Sequence, residues 1–191
     1  MPSPEQDLAF FQAGIQEVTD YLLCAAPTRS GELYWPLTVG AAGVPRLTIG
    51  GLLLAQARLR ARRFSPAAQV EMAALEGKMD AVRMKWRSAW ERKAGREVHA
   101  RLDLWRNYLS DYRDSPEHHA HAYPHEVQWR VILRLLSGEF VFPPKELDTL
   151  SSLDAIVKAL WLPGEFIWEA DLITGFPQQD YWFLYGKLKS S

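Results

Sequence analysis

The strongest concentration of metal-ligand side chains is a group of four histidines within eight residues: His118, His119, His121 and His125. Imidazole is a common ligand of zinc, copper and nickel, so this segment could bind a transition metal. Its spacing matches neither His-Glu-x-x-His nor a zinc-finger pattern, and Pro124 prevents one continuous helix from presenting the histidines on a single face. We therefore expect a solvated His-rich connector with no specific metal and no cofactor, with metal binding as the alternative.

A second candidate is a charged pair set among tryptophans. Its members recur at steps of three and four, which places them on one face of a helix: Trp90, Ala94, Glu97, Arg101 and Trp105, with Lys93 beside them. Glu97 precedes Arg101 in the favourable i,i+4 order. Partly buried charges between tryptophans could bind a small anion or polar ligand. The alternative, which we favour, is a surface or interhelical salt bridge with tryptophans packed on its side-chain stems. We expect this face to be covered by another helix, through Trp129 or Arg130, or by the C-terminal aromatic run.

No catalytic signature accompanies these residues. The sequence contains no Gly-x-Ser-x-Gly or Cys–His motif, and the glycines at positions 40, 43, 50 and 51 lack the Lys-Ser/Thr of a phosphate-binding loop. The single cysteine, Cys24, lies in an apolar run and is expected to be buried and inert. We therefore expect a protein that is not an enzyme.

One long amphipathic segment positions the charged pair. Ser65 followed by Pro66 is a helix start, because serine caps an orphan N–H and proline lacks one. The next proline is Pro116. Apolar or small residues then recur about every 3.6 residues, the period of an α-helix. These are Met72, Leu75, Met79, Val82, Trp86, Trp90, Ala94, Val98, Leu102, Trp105, Leu109 and Tyr112. The segment predicts one helix over about 65–112, bent if anywhere at Gly95.

Shorter helices are predicted around this segment. Ser3, Pro4 and Gln6 start a first helix with capping-box spacing, and Thr48 caps a second over about 47–63. Further helices are expected over about 123–138, 151–162 and 165–174, with a stop at Pro143 and Pro144. A Gly- and Pro-rich loop is expected over 28–45. The fold is therefore predicted to be all-α: a single domain over 1–191, an elongated bundle built on the long central helix, with shorter aromatic-rich C-terminal helices.

The charge is unevenly distributed, although the net charge is only −1. Residues 56–106 contain 13 Lys and Arg but only 6 Asp and Glu. This basic segment could bind nucleic acid or acidic lipid, or it could pack beside the acidic ends of the same chain, and we favour this internal complementarity because the whole chain is not basic. The acidic start of the chain and the absence of a run of about 20 apolar residues favour a cytoplasmic protein without a membrane span.

These observations favour a non-enzymatic protein–protein interaction or scaffolding module, with an unknown protein partner or self-association. One alternative is a helical protein or enzyme that binds a small ligand or metal through the Glu97–Arg101 face or the His118–His125 segment. The other is a nucleic-acid binder that uses residues 56–106. Fold class alone does not choose among them.

Overall fold

The computed structural model describes residues 1–24 and 46–189, and within them the fold is all-α, as predicted. The helices are α1 (Pro4–Leu23), α2 (Ile49–Ala61), α3 (Pro66–Lys85), α4 (Arg87–Asp114), α5 (Pro116–His119), α6 (Tyr123–Glu126), α7 (Gln128–Leu136) and α8 (Pro144–Leu160). Two three-residue strands, β1 (Trp161–Pro163) and β2 (Gly186–Leu188), form an antiparallel pair. The predicted loop over 28–45, with its Tyr34, Trp35 and Pro36, lies outside the described residues, as do Gly40 and Gly43.

The chain divides into two compact units, one of residues 2–94 and one of residues 95–191 that also includes Met1. We call them the N-terminal unit and the C-terminal unit. The division falls within α4. The described helices do not include one that combines the length and the apolar character needed to cross a bilayer.

The N-terminal unit is built on α1 and α2, and both begin at the predicted caps. The Ser3 hydroxyl accepts a hydrogen bond from the Gln6 backbone N–H while the Gln6 side chain accepts one from the Ser3 N–H, which completes a capping box. Thr48 caps α2 through Gly51 N–H at 3.0 Å. Gly14 allows close packing, because a Cβ there would lie 2.5 Å from Leu52 Cδ2. The helices are therefore in direct contact at Gly14.

The predicted long helix is present as α3 followed by α4. Ser65 is its N-cap and Pro66 its first residue, as expected. Only Trp86 departs from helical geometry, with φ −116° and ψ 34°, and the backbone hydrogen bonds to Val82 and from Trp90 are kept at 2.9 Å. Gly95, where a bend was expected, lies inside α4. All the predicted apolar stations are buried or half-buried.

The C-terminal unit departs further from the sequence-based predictions. The helix predicted over 151–162 begins seven residues earlier, at Pro144, because proline at N1 needs no N–H partner, whereas only a stop was predicted at Pro143 and Pro144. The helix predicted over 165–174 is replaced by a 3-10 segment at Ala170–Gly175, and the helix predicted over 123–138 is divided into α6 and α7 at Val127. In the small sheet, Trp161 pairs with Leu188 and Pro163 with Gly186.

Candidate functional site

Glu97 and Arg101, one helical turn apart in α4, form the predicted ion pair. Arg101 Nε and Nη2 both donate to Glu97 Oε1, at 2.9 and 2.7 Å. The side chains are only 14% and 6% exposed for Arg101 and Glu97, respectively. The guanidinium lies over the Trp129 ring of α7, 4.8 Å from the ring centroid. The expected cover is therefore present, and Arg101 is held between a carboxylate and an aromatic face.

Trp129 connects this pair to the histidine segment. Its indole N–H donates to Glu126 Oε2 at 2.8 Å, and Glu126 Oε1 lies 3.0 Å from His125 Nδ1. A continuous polar path thus runs from Glu97 through Arg101, Trp129 and Glu126 to His125. The structure brings together the two groups that the sequence had suggested separately. The path ends at an exposed imidazole, whose side chain is 71% exposed.

Trp105 is fully buried and anchors an aromatic cluster with Tyr108 and Tyr123. The Trp105 and Tyr108 rings stack with centroids 5.6 Å apart, and the Tyr123 ring lies 6.3 Å from Trp105. Burial raises the pKa of both phenols above their ordinary value of 10.0, and the Glu126 carboxylate adds to the rise at Tyr108. Trp105 Nε1 is buried without a hydrogen-bond partner among the described residues. The cluster is therefore core packing with one unsatisfied donor.

The other two predicted site residues, Trp90 and Lys93, belong to the N-terminal unit. Trp90 is 1% exposed. The Lys93 ammonium lies over the ring of Tyr21, 4.6 Å from its centroid, which is cation–π geometry. Ligand binding by Trp90, Lys93, Glu97, Arg101 and Trp105 stays a prediction, and their observed contacts are packing and pairing contacts.

The histidine segment adopts short helical turns in α5, a 3-10 turn and α6. His118, His121 and His125 are exposed and His119 is half-buried. His118 Nδ1 lies 3.1 Å from the neighbouring Glu117 carboxylate. Over residues 1–24 and 46–189, no group of three or more His, Cys, Asp and Glu side chains is arranged to hold a metal ion.

An open groove of about 540 Å³ lies in the C-terminal unit, lined by Arg106, Lys145, Asp148, Thr149, Ser152 and Leu153. Its two hydroxyl groups donate to their own helix, Thr149 to Lys145 O at 2.9 Å and Ser152 to Asp148 O at 2.8 Å. Arg106 is paired with Asp103. The groove therefore mixes both charges, without a convergent set of donors for one ligand class.

A buried charge cluster was not predicted. Asp7 of α1 accepts from Arg58 Nε and Nη2 of α2 at 3.0 and 2.7 Å, and from Arg62 at 3.1 Å. Asp7 is only 2% exposed. Helical spacing could have indicated the burial of Asp7, because Asp7 follows the same steps of three and four as the buried positions Phe11, Gly14 and Val18. Arginines in the last turn of α2 also complement the helix dipole, which by itself would account for their position.

Many cations of the basic segment 56–106 have partners within the chain. Carboxylates bind Arg58, Arg60, Arg62, Arg83, Arg87, Arg101 and Arg106, and aromatic rings contact Lys85 and Lys93. Five of these seven arginines pair with carboxylates inside the same segment, while Arg58 and Arg62 pair with Asp7 near the start of the chain. Packing of the basic segment beside the acidic ends of the chain therefore stays a prediction for most of these arginines.

The outer face of α3 is apolar and exposed. We define it as Ala67, Val70, Ala74, Gly77, Ala81 and Met84, every one of them exposed. Val70 and Met84 are 72% and 74% exposed. The opposite side of α3 carries the buried Met72 and Met79. Gln12 of α1 and Gln56 of α2 hold α3 in the N-terminal unit through Glu71 and Glu76, at 2.7 and 3.1 Å.

No known protein family, curated protein or solved structure matches this chain. Any functional assignment therefore depends on the side chains and surfaces described above.

Proposed function

We propose that this chain is a non-enzymatic interaction module that binds protein through the outer face of α3. The observation that supports it most is the spacing of that face. Positions 67, 70, 74, 77, 81 and 84 follow alternating steps of three and four, the repeat by which one helix packs along another. The face is therefore patterned as a helix-packing seam.

The exposure of Val70 and Met84 gives the seam its two apolar anchors. Single exposed apolar residues are ordinary on protein surfaces, but a contiguous apolar stripe on one helix is typical of an interaction surface. Burying a side chain of this size against a partner is worth about 1.5–3 kcal/mol. Both anchors lie on the same seam, 14 positions apart, or about 21 Å along the helix at 1.5 Å per residue.

The charged groups support a binding role over a catalytic one. Glu97 is paired with Arg101, and Asp7 is held by Arg58 and Arg62. General acid–base catalysis needs a group that can reach a bound substrate. The exposed His125 lies at the surface beside Glu126 rather than within the groove lined by Lys145 and Asp148.

Photo-crosslinking in the cells that produce this protein tests the proposal. A photoreactive amino acid at Val70 should give a discrete protein adduct, because that position would lie in the interface. The same substitution at the exposed Ala9 of α1 is the matched control and should give none. Absence of an adduct at Val70, or equal adducts at both positions, would contradict the proposal.

A further inference from the structure

We infer that the partner on the outer face of α3 is a second copy of this chain, docked antiparallel; this inference rests on the proposed function. A symmetric dimer requires a self-complementary surface. If one residue contacts a second residue of the other copy, then the second residue of the first copy also contacts the first residue of the other copy. The outer face of α3 meets this requirement, in side-chain size and in charge, in the antiparallel register centred between Ala74 and Gly77.

Side-chain size selects the antiparallel direction. With the two-fold axis between Ala74 and Gly77, Val70 lies opposite Ala81 of the second copy and Met84 lies opposite Ala67 of the second copy. Each large residue thus faces a small one, as well-packed cores require. A parallel pair would place Val70 on Val70 and Met84 on Met84 and would leave a gap between the small residues at the centre.

The glycine at position 77 is not explained by the contacts described within a single copy. It lies in the middle of α3, where glycine is less favourable than alanine by about 1 kcal/mol. A Cβ at this position would meet no atom within 4 Å in the part of the chain that the structure describes, so packing among those residues does not require glycine. In the proposed register Gly77 faces Ala74 of the second copy at the centre of the contact, where the absence of a side chain permits close approach of the two helices.

Charge complementarity supports the same register. Glu71 and Lys78 border one side of the outer face and are exposed. In an antiparallel pair centred between Ala74 and Gly77, Glu71 lies on the same side of the contact as Lys78 of the second copy, two positions or about 3 Å apart along the axis, and symmetry makes this contact twice. Shifting the copies by one heptad would place Lys78 beside Lys78 and Asp80 beside Asp80, and these two like-charge contacts would offset the new contacts of Glu71 with Lys85.

Sedimentation of the full-length protein, from micromolar to near-millimolar concentration, tests the inference. We expect a monomer–dimer equilibrium that Gly77→Leu weakens by about tenfold or more, since the added side chain holds the helices apart. At a concentration too low for association, the same variant should unfold no more easily than wild type, because no atom of the described residues lies within 4 Å of a Cβ at position 77. Ala9→Leu, a matched change on exposed α1, should associate as wild type does.

A charge exchange between copies tests the register. Glu71→Lys and Lys78→Glu each create two repulsive contacts in a homodimer, so each should associate about tenfold more weakly than wild type. An equimolar mixture of the two should form a heterodimer of wild-type strength, because every contact is then attractive. The stronger association of the mixture cannot come from the Gln12–Glu71 hydrogen bond, because the Glu71→Lys copy lacks that bond in its homodimer and in the heterodimer alike.

A wild-type protein that stays monomeric at every concentration would overturn the inference. Association that is unchanged in Gly77→Leu, or a mixture no stronger than its components, would also overturn it. If the protein is monomeric but Val70 crosslinks to a different protein in cells, the second copy is the wrong partner and the proposed function stands. If neither association nor crosslinking is seen, both fail.

Discussion

Asp7, in the first turn of α1, accepts two hydrogen bonds from the Arg58 guanidinium near the end of α2, and both side chains are buried. Arg62 adds a third hydrogen bond from the same side of α2. Two guanidinium groups thus converge on one carboxylate inside the N-terminal unit. Breaking a buried ion pair leaves uncompensated charge in a medium that solvates it poorly.

Asp7→Asn should therefore destabilise the protein strongly. We expect a loss of about 3–5 kcal/mol in the free energy of unfolding, because both arginines stay buried without a carboxylate. Denaturant unfolding measures it. Asp103→Asn is the matched control, since the Asp103–Arg106 pair is 42% and 49% exposed and should be worth less than about 1 kcal/mol. If both variants lost the same small amount of unfolding free energy, the buried Asp7 ion pairs would contribute no more to stability than an exposed pair.

Glu97→Gln should cost an intermediate amount, about 1.5–3 kcal/mol, because it removes a charge-assisted acceptor from a largely buried pair. Arg101→Met should also lose the stacking of the guanidinium on Trp129. In denaturant unfolding, the double variant should be more stable than the sum of the two single losses implies, since it leaves no unpaired charge. Strict additivity would mean that the two side chains do not interact.

Gly186→Ala should disrupt the small sheet. A Cβ at Gly186 would overlap the Leu162 carbonyl oxygen and lie 2.6 Å from Trp161 Cε2, so strand β1 would have to move. We expect a loss of about 1–3 kcal/mol. Gly77→Ala is the opposite control: its Cβ would meet no atom of residues 1–24 and 46–189 within 4 Å, and it should stabilise the monomer by up to about 1 kcal/mol. Thermal unfolding at a concentration too low for association compares the stability of the two variants. Equal changes in stability would contradict the tight packing at Gly186 and the open space at Gly77.

Alkaline pH should destabilise the fold through its buried tyrosines. The pKa of Tyr108 and Tyr123 is raised above 10.0 in the folded state, so above that pH the folded chain binds more protons than the unfolded chain. Stability is then lost as pH rises. Unfolding free energy measured across this range should fall more steeply for wild type than for Tyr108→Phe. Parallel curves would show that Tyr108 titrates normally.

The histidine segment should not hold a stoichiometric transition metal. His118 and His125 each lie beside a neighbouring carboxylate at the surface, rather than converging on a shared centre. Elemental analysis of untagged protein should find less than one equivalent of zinc, copper or nickel. One equivalent that disappears in His121→Ala would contradict this expectation.

Sequence patterns located the beginnings of several helices because those signals act over one turn. Ser3, Thr48 and Ser65 were each recognised as caps from their own neighbours, and each is one. The same reasoning misjudged Pro144, because proline can end a helix or begin one and the local sequence does not decide between these outcomes.

The Glu97–Arg101 pair could also be predicted from local sequence, because its two residues are four positions apart on one helix. Its cover on Trp129 was named among several alternatives, and only the packing of α7 selected it. The link from Trp129 through Glu126 to His125 was not predicted, because it depends on how α6 and α7 meet at Val127.

By itself, the sequence determined the all-α class, the long segment from Ser65 and the apolar stripe along it, because caps and helical periodicity depend on residues within a few positions of one another. Tertiary structure alone decided that Asp7 meets Arg58 and that the second apolar side of α3 is left open. Asp7 and Arg58 are 51 residues apart, and α3 carries apolar residues on two opposite sides. Packing within the N-terminal unit buries Met72 and Met79, as the apolar stripe predicted, and leaves Val70 and Met84 exposed on a second apolar side that was not predicted from the sequence.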